Sequence, residues 1–240
     1  FSAVFIDEYA AVTGDREFMQ LLDFYKICRA VVRGKVESLK LLDPDIPEAE
    51  KISAKDKARR YFRLARGYVF RNGLPHTLII TCGLMGSGKS AIASALSLEL
   101  GMEITSSDAV RKELAKLPGS MHSLDEYDTG IYAPAFTETT YRELLSRSEQ
   151  ALHAGRSIIV DATFRKKEDR ARFSSLAACH NAQFYIVHTS CPEKLVKQRL
   201  DDRIRKPGEL SDGRWELFNR QKCEFETPEN DEGILIDIDT

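Results

Sequence analysis

The stretch that decides the fold is Gly83-Leu84-Met85-Gly86-Ser87-Gly88-Lys89-Ser90, which fits the pattern G-x-x-x-x-G-K-[ST]. It follows a short apolar run, Leu78–Cys82, and precedes residues 90–100, whose apolar side chains recur at helical spacing. Glycines allow backbone N–H groups to turn inward around a phosphate, and the start of a helix adds positive partial charge. The sequence therefore predicts a phosphate-binding loop between a strand and a helix.

Two side chains at the end of this loop indicate what it binds. Lys89 can reach the β- and γ-phosphates of a nucleotide, and the Ser90 hydroxyl can bind Mg²⁺. The base-reading pattern N-K-x-D of GTPases is absent from the sequence, which favours ATP over GTP. We therefore expect all of 83–90 to contact the nucleotide, with ATP and Mg²⁺ as cofactors. The alternative is a glycine-rich turn with a chance lysine.

The chain after Pro75 alternates between strand-like and helical patterns. Short apolar runs predict strands at 78–82, 157–160, 184–188 and 234–238, and a weaker run predicts a fifth at 102–105. Stretches with helical spacing separate them, for example 90–100, 134–154, 166–180 and 192–205. Alternation of this length predicts an α/β fold, with a parallel five-stranded sheet and helices on both of its faces.

Residues 1–74 show helical patterns and no strand pattern. Apolar side chains three and four positions apart predict a long helix over 15–42. Ser53 and Asp56 resemble a capping box at the start of a second helix. We therefore expect two domains, an all-α segment at 1–74 and an α/β domain at 75–240.

The composition of the whole chain excludes several classes of protein. Of 240 residues, 42% are hydrophobic and 30% are charged, a balance that disordered and collagen-like chains do not have. Lys and Arg number 35 against 37 Asp and Glu, and a net charge of −2 does not mark a nucleic-acid or membrane binder. The sequence contains no uncharged apolar stretch long enough to span a membrane.

Cysteine spacing indicates the cellular compartment, and the first residues indicate that the chain is part of a longer protein. The 5 cysteines include no C-x-x-C pair, which predicts free thiols in a reducing cytoplasm. The histidines form no H-x-x-x-H pattern, so we expect no Cys/His metal site. The chain begins Phe1-Ser2-Ala3, with neither Met nor a charged signal-peptide region, and so reads as the middle or end of a longer protein.

Carboxylates follow two further predicted strands. Asp161 ends an apolar run, where it can organise Mg²⁺ beside the loop because the carboxyl ends of parallel strands gather at one crevice. Asp108 follows the weakest strand and can accept the proton of an attacking hydroxyl, mainly by positioning it. Arg111, one helical turn further on, can hold the acceptor or a phosphate. The alternatives are that Asp161 caps a turn and that Ser107 or Asp108 caps a helix.

Three arginines, Arg199, Arg203 and Arg205, lie where a predicted helix ends and a Pro/Gly loop begins. Arginines on such a segment can close over the γ-phosphate as a lid, neutralise developing charge and exclude water. We expect Arg203 to act in catalysis, and Arg199 and Arg205 to contact the nucleotide. The alternative is a solvated basic helix end. The polar loop 122–130 can shape the acceptor pocket.

Several motifs resemble one family when they are taken in order along the chain. They are the loop 83–90, Ser107-Asp108-x-x-Arg111, Gly130-Ile131-Tyr132, Thr140-Tyr141, Gly155-Arg156-Ser157, Val160-Asp161-Ala162-Thr163-Phe164 and Cys191-Pro192-Glu193. Over about 77–240 the chain resembles the bacterial "predicted kinase" family of P-loop proteins, AAA-type ATPase domains related to polynucleotide kinases, zeta toxins and chloramphenicol phosphotransferase. The resemblance implies a sheet of adenylate-kinase type with an arginine lid.

This resemblance also implies roles for individual residues. The family's general-base Asp and the Arg three residues later fall on Asp108 and Arg111. Its carboxylate-x-Thr element falls on Asp161 and Thr163. The resemblance thus implies a metal-binding role for Asp161 and a place for Thr163 on the substrate side.

The first part of the chain resembles a different kinase. Residues 1–70, notably Phe5-Ile6-Asp7-Glu8-Tyr9 and Arg29-Ala30-Val31-Val32-Arg33, resemble the last helices of an aminoglycoside-phosphotransferase-like domain. The H-x-D and I-D-x-D motifs of that domain are absent from 1–74. The resemblance therefore implies that an upstream kinase-like domain is missing from this chain.

The leading hypothesis is an ATP- and Mg²⁺-dependent phosphotransferase that acts on a hydroxyl of an unidentified small molecule. One alternative is a 5′-hydroxyl nucleic-acid kinase that uses the basic stretch 51–71 to hold a strand, although its arginines lie opposite much of the apolar pattern, as on any solvated helix. Another is a regulatory ATP-binding module without an acceptor. Asp108 and Arg111 argue against that module, because a switch needs no base on the acceptor side.

Overall fold

The computed structural model describes residues 2–14, 18–71, 73–116, 133–204 and 213–240. The chain divides into two compact units. The first consists of Phe1–Gly73 with Leu98–Gly101, and the second consists of Leu74–Ser97 with Met102–Thr240. Within the described ranges, no helix is long and apolar enough to cross a membrane.

The first unit is helical, as the sequence predicts. Its described elements are α1 (Ser2–Thr13), α2 (Phe18–Leu39), a 3₁₀ turn (Lys40–Leu42) and α3 (Glu48–Arg71). The buried positions of α2 and α3 carry small side chains, so the helix backbones can pack closely. They are Ala30 on α2 and Ala54, Ala58 and Ala65 on α3. A Cβ on Gly34 of α2 would lie 2.9 Å from the ring of Phe62 on α3, so the two helices approach closely there.

The start of α3 differs from the prediction. The helix begins at Glu48, and the carbonyl oxygen of Pro47 accepts a hydrogen bond from Glu50 N at 2.9 Å. Ser53 and Asp56 therefore lie inside the helix, and the capping box predicted from them is wrong. Proline has a φ angle suited to entering a helix, and the glutamates place negative charge at its positive end.

The second unit is built from strands and helices that alternate along the chain. The strands are β1 (Thr77–Cys82), β2 (Glu103–Ser106), β3 (Ile158–Asp161), β4 (Gln183–Ser190) and β5 (Ile234–Asp239). The helices in the described residues are α4 (Lys89–Leu100), α5 (Ser107–Leu114), α6 (Pro134–His153), α7 (Lys167–Cys179), α8 (Glu193–Ile204) and α9 (Gly213–Cys223). The predicted α/β class is confirmed.

The five strands form one parallel sheet in the order β2-β3-β1-β4-β5. The register sets Asp161 at the end of β3 beside Thr81 of β1 on one side and Ser106 of β2 on the other. Neighbouring strands lie about 4.8 Å apart, so these three residues form a row about 10 Å wide. The row marks the carboxyl edge of the sheet.

The central strand gives this edge a rigid base. Every residue of β1 is buried, as expected of a strand covered on both faces of a parallel sheet. Leu78 and Ile80 pack with Leu144 of α6 and Phe173 of α7 in the main core. Ile79 points to the opposite face and is also buried, at 5% exposure.

Candidate active site

The stretch 83–90 connects β1 to α4, with Lys89 and Ser90 opening the helix, where the sequence places it. Gly86 and Gly88 adopt φ angles of +76° and +87°, left-handed values that glycine reaches without strain. A Cβ on Gly86 would also lie 2.9 Å from Cγ1 of Val196. The loop therefore needs glycine for its backbone angles and for its packing.

The outer side of the loop is bound through its carbonyl oxygens. Arg199 Nη1 donates to Gly86 O at 3.1 Å, and Thr240 Oγ1 donates to Ser87 O at 2.9 Å. Arg199 Nη1 also donates to Thr240 Oγ1 at 3.0 Å. Because C=O and N–H point in opposite directions across a trans peptide, the N–H of Gly88 faces the inner side of the loop. Inward N–H groups are what a phosphate requires.

The lysine of the motif lies against the same loop. Lys89 Nζ donates to the carbonyl oxygen of Leu84 at 2.8 Å. A phosphate is a stronger partner for an ammonium group than a neutral carbonyl, because both groups are then charged. Ser90 is exposed in the first turn of α4. Both side chains are placed where their predicted roles require, and those roles stay predictions.

Asp161 lies at the carboxyl edge of the sheet, between two strands. Its side chain is buried, and Oδ1 accepts a hydrogen bond from Thr81 Oγ1 at 2.9 Å, which fixes the carboxylate. No three His, Cys, Asp or Glu side chains in the described ranges form a metal-binding group by themselves. Mg²⁺ in phosphoryl-transfer sites takes only one or two carboxylates and completes its shell with phosphates and water. The hard oxygens of Asp161 and Ser90 fit that requirement.

Asp108 and Arg111 lie on α5, which starts directly after β2. The cap of this helix is Ser106, whose side chain accepts a hydrogen bond from Ala109 N, so the predicted capping by Ser107 or Asp108 is wrong. Ser106 takes this place because it is the last residue with an extended backbone, at φ −124° and ψ 145°. Asp108 is thus exposed in the first turn, whereas Arg111 is buried.

The turn after β3 touches the phosphate loop through its backbone. Gly83 N, at the start of the loop, donates to the carbonyl oxygen of Thr163 at 3.2 Å. The next residue, Phe164, has a φ angle of +45°, which is unusual for a bulky side chain. The element from Asp161 to Thr163 therefore lies directly beside the start of the loop.

The lid arginines are described only in part. Arg199 on α8 contacts the outer side of the loop by the bonds given above. The described part of α8 includes the backbone of Arg203 but not its side chain, and Arg205 and the loop 122–130 lie outside the described residues. Contacts of these three arginines with phosphate stay predictions.

Sequence reasoning missed the roles of Thr240, Arg170 and Tyr141. Thr240 directly follows β5, and the carboxyl ends of parallel strands share one edge of the sheet, which could have indicated it. Arg170 is three residues before Phe173 on α7 and therefore falls on the apolar face, an unusual place for a charge. Tyr141 belongs to the Thr140-Tyr141 motif of the resemblance, but that motif does not indicate what the hydroxyl binds, and tyrosine is common in cores.

Comparison with known proteins places the second unit in a family. The family model described as an AAA domain (AAA_33) matches residues 78–228. The chain is also 31% identical, over 217 residues, to uncharacterised proteins of Mycobacterium tuberculosis (strain H37Rv) and Mycobacterium bovis. This match covers 89% of the chain but only 41% of each relative, so the chain spans about two fifths of their length.

A solved structure shares the fold. A candidate kinase from Chloroflexus aurantiacus J-10-fl is similar to this chain with a TM-score of 0.54 and 20% sequence identity. The similarity covers 69% of this chain and 89% of that one. The narrower family named from the motifs, and the aminoglycoside-phosphotransferase-like character of 1–74, stay predictions. The chain belongs to the AAA_33 family of AAA domains, and the part of it that the family covers has a P-loop kinase fold.

Proposed function

We propose that the second unit is an ATP- and Mg²⁺-dependent phosphotransferase that moves the γ-phosphate of ATP to a hydroxyl group of a small molecule. One observation carries this proposal: the parallel register sets Thr81, Asp161 and Ser106 side by side. The phosphate loop begins just after the first of these residues, and Asp108 comes just after the last. Groups for the nucleotide and for the acceptor thus leave the same edge of the sheet from β1 and β2, which flank β3 and its Asp161, and transfer between two bound substrates requires such closeness.

The residues divide the work between the two substrates. The backbone N–H groups of 83–90 hold the phosphates, and Lys89 exchanges its bond to a loop carbonyl for the β- and γ-phosphates. Ser90 and Asp161 hold Mg²⁺, which when bound offsets the charge that develops on the phosphate oxygens. These side chains position the γ-phosphate and do not react themselves.

Residues of α5 and of the turn after β3 bind the acceptor and activate its hydroxyl group. Asp108 orients the acceptor hydroxyl and takes its proton as the oxygen attacks the γ-phosphorus. The bond from the γ-phosphorus to the bridging oxygen breaks, and ADP leaves with that oxygen. Arg111 and Thr163 hold the acceptor, and Arg203 and Arg205 offset charge on the transferred group. The kinase fold shared with the Chloroflexus protein supports phosphoryl transfer as the class of reaction.

Acceptor-dependent ATP consumption tests the proposal. We expect one member of a panel of sugars, antibiotics, nucleosides and 5′-hydroxyl oligonucleotides to raise turnover. Asp108→Asn should lower that turnover about 100-fold, because proton acceptance and positioning are both impaired, and should leave ATP affinity within about twofold. The matched control is Asp56→Asn, an exposed carboxylate on α3. Full turnover by Asp108→Asn would contradict the proposal.

The same assay separates the two alternatives. Stimulation by oligonucleotides alone would favour the nucleic-acid kinase. Against it, Arg63 and Arg66 in the basic stretch both form ion pairs with Glu99, and Arg71 pairs with Asp23, so these charges are already engaged. ATP binding with no acceptor response, and no effect of Asp108→Asn, would favour the regulatory module.

We also propose that 1–74 forms the last helices of an aminoglycoside-phosphotransferase-like domain that belongs to a longer protein. The helical character of α1, α2 and α3 supports this, as does the greater length of the mycobacterial relatives. A structure of the complete Mycobacterium tuberculosis relative tests it. The residues that match 1–74 should be packed inside a kinase-like domain there, and a free-standing three-helix unit would contradict the proposal.

A further inference from the structure

Phe164 holds a backbone conformation that its own side chain disfavours. Its φ angle of +45° lies in the left-handed region, which residues with a Cβ rarely occupy unless the surrounding structure holds them there. The ring itself is fully buried and packs edge-on against Tyr141 and Phe173. The conformation therefore depends on neighbours of this residue.

Three buried side chains bind the backbone of Phe164, one at its N–H and two at its carbonyl oxygen. Its N–H donates to the hydroxyl oxygen of Tyr141 at 3.0 Å. Its carbonyl oxygen accepts from Arg170 Nη1 at 2.9 Å, and from the thiol of Cys82 at 3.4 Å. Tyr141 is on α6 and Arg170 is on α7, so two different helices fix the two peptide units that flank the Phe164 Cα.

Arg170 is itself held in a fixed position. Its side chain is fully buried, and Nε and Nη2 donate to the two carboxylate oxygens of Glu232 at 2.6 Å and 2.9 Å. Nη1 donates to the carbonyl oxygen of Glu226 at 2.8 Å as well as to that of Phe164. A guanidinium bound on three sides cannot rotate, so it determines where the Phe164 carbonyl lies.

The first of these two peptide units, between Thr163 and Phe164, leads directly into groups of the proposed active site. Thr163, the preceding residue, accepts a hydrogen bond from Gly83 at the start of the phosphate loop. Asp161, at the other end of the turn, is bound by Thr81. A change in the backbone at Phe164 would therefore alter the position of the carboxylate assigned to Mg²⁺ relative to the first residue of the loop.

We propose that Tyr141 and Arg170 are positioning residues that set the distance between Asp161 and the phosphate loop by fixing the backbone of Phe164. This inference rests on the proposed function, because it assigns them to the binding of the Mg²⁺–nucleotide complex. Neither side chain touches a substrate. They act through the turn after β3. Their loss changes the position of the Asp161 carboxylate and leaves the phosphate loop itself in place.

Tyr141→Phe tests the inference, because it removes one hydroxyl and keeps the ring against Phe164. The affinity for the non-hydrolysable ATP analogue AMPPNP is measured by titration calorimetry, with and without Mg²⁺. We expect the Mg²⁺ concentration that gives half-maximal enhancement of binding to rise about tenfold, and the affinity without metal to stay within about twofold of wild type. Tyr185→Phe, which removes a hydroxyl that donates to exposed Gln183, is the matched control and should change neither value.

Arg170→Lys is the second variant, since it keeps the charge but loses the paired bonds to Glu232. It should raise the Mg²⁺ requirement in the same direction. If Tyr141→Phe and Arg170→Lys both keep the wild-type Mg²⁺ dependence and only lower the thermal midpoint, their role is purely structural and the inference is wrong. If wild-type protein binds no AMPPNP, or binds it without any effect of Mg²⁺, the proposed function itself fails.

Discussion

The hydroxyl of Thr240 donates to the carbonyl oxygen of Ser87 and accepts from Arg199, which also donates to the carbonyl oxygen of Gly86. Arg199 on α8 and Thr240 directly after β5 thus bind consecutive peptide units of the phosphate loop, although both are far from the loop in sequence. Their effect is to keep two carbonyl oxygens away from the side where phosphate would bind. Arg199, predicted as a direct phosphate ligand, contacts the loop in this structure.

We expect Thr240→Val to weaken ATP binding about fivefold. Valine keeps the branched shape but removes the hydrogen bond to the loop, and one such bond contributes about 1 kcal/mol. Calorimetric titration with ATP measures the effect. The matched control is Thr139→Val on α6, whose hydroxyl donates to the Ala135 carbonyl oxygen of its own helix. Unchanged affinity in Thr240→Val would show that the loop holds its shape without this contact.

Lys89→Met should lower acceptor-dependent turnover about 100-fold, because the transferred phosphate loses its contact with the positive charge of the lysine ammonium group. Methionine keeps most of the length of the stem, so the loop should stay folded. The rate of ADP formation at saturating ATP checks this. Lys57→Met, an exposed lysine on α3, is the control and should leave the rate unchanged. A rate within twofold of wild type in Lys89→Met would remove this lysine from the mechanism.

Glu232→Gln should destabilise the second unit by about 3 kcal/mol at pH 7, because it leaves the charge of Arg170 buried without its partner. Urea unfolding gives the free energy of unfolding for both proteins. Glu149→Gln, an exposed side chain on α6, should cost almost nothing. An equal loss of unfolding free energy in both variants would mean that the buried ion pair does not contribute more to stability than an exposed glutamate does.

The same pair predicts how stability depends on pH. Burial alone would raise the pKa of Glu232, but hydrogen bonds from Arg170 and from Glu229 N outweigh it, so the pKa lies below its ordinary value of 4.5. The ion pair thus stabilises the fold at pH values above 4.5 and loses this effect as the pH falls through the lowered pKa. We expect the stability difference between wild type and Glu232→Gln to shrink in acid. A difference that stays constant from pH 7 to pH 3 would contradict this.

Cys82 should be the cysteine that resists alkylation in the folded protein. Burial raises the pKa of its thiol to about 12, so almost no reactive thiolate forms at pH 8. Cys28, Cys179 and Cys223 are exposed and should react first. Mass spectrometry after timed iodoacetamide treatment, with and without urea, locates the modified residues. Rapid labelling of Cys82 without urea would show that β1 opens readily.

The parts of the fold that repeat along the chain could be predicted from the sequence. Apolar runs predicted the five strands of this sheet. The pattern is clearest in β1 and β3, because a central parallel strand is buried on both faces and tolerates few polar residues. The loop 83–90 was recognisable because glycine, lysine and serine are each required at fixed positions for a physical reason. Even the weak strand at 102–105 was correct to within one residue.

Errors arose where more than one residue could begin a helix. Ser106, Ser107 and Asp108 are all good helix caps, and only the backbone angles decide that Ser106 is the cap. Likewise Pro47 starts α3 before Ser53 is reached. The contacts of Tyr141 and Arg170 with Phe164 could not be predicted at all, because they depend on where three separate segments meet in space.

The order of the strands has a consequence for folding kinetics. Thr81 of β1 pairs with Asp161, 80 residues away, and Thr189 of β4 contacts Cys82 across 107 residues. These distant segments must come together before the central strand has a paired neighbour. Folding of the sheet is therefore slow. Because the phosphate loop grows out of that strand, nucleotide affinity should be among the last properties to return during refolding. ATP binding would then report completion of the sheet rather than formation of its helices.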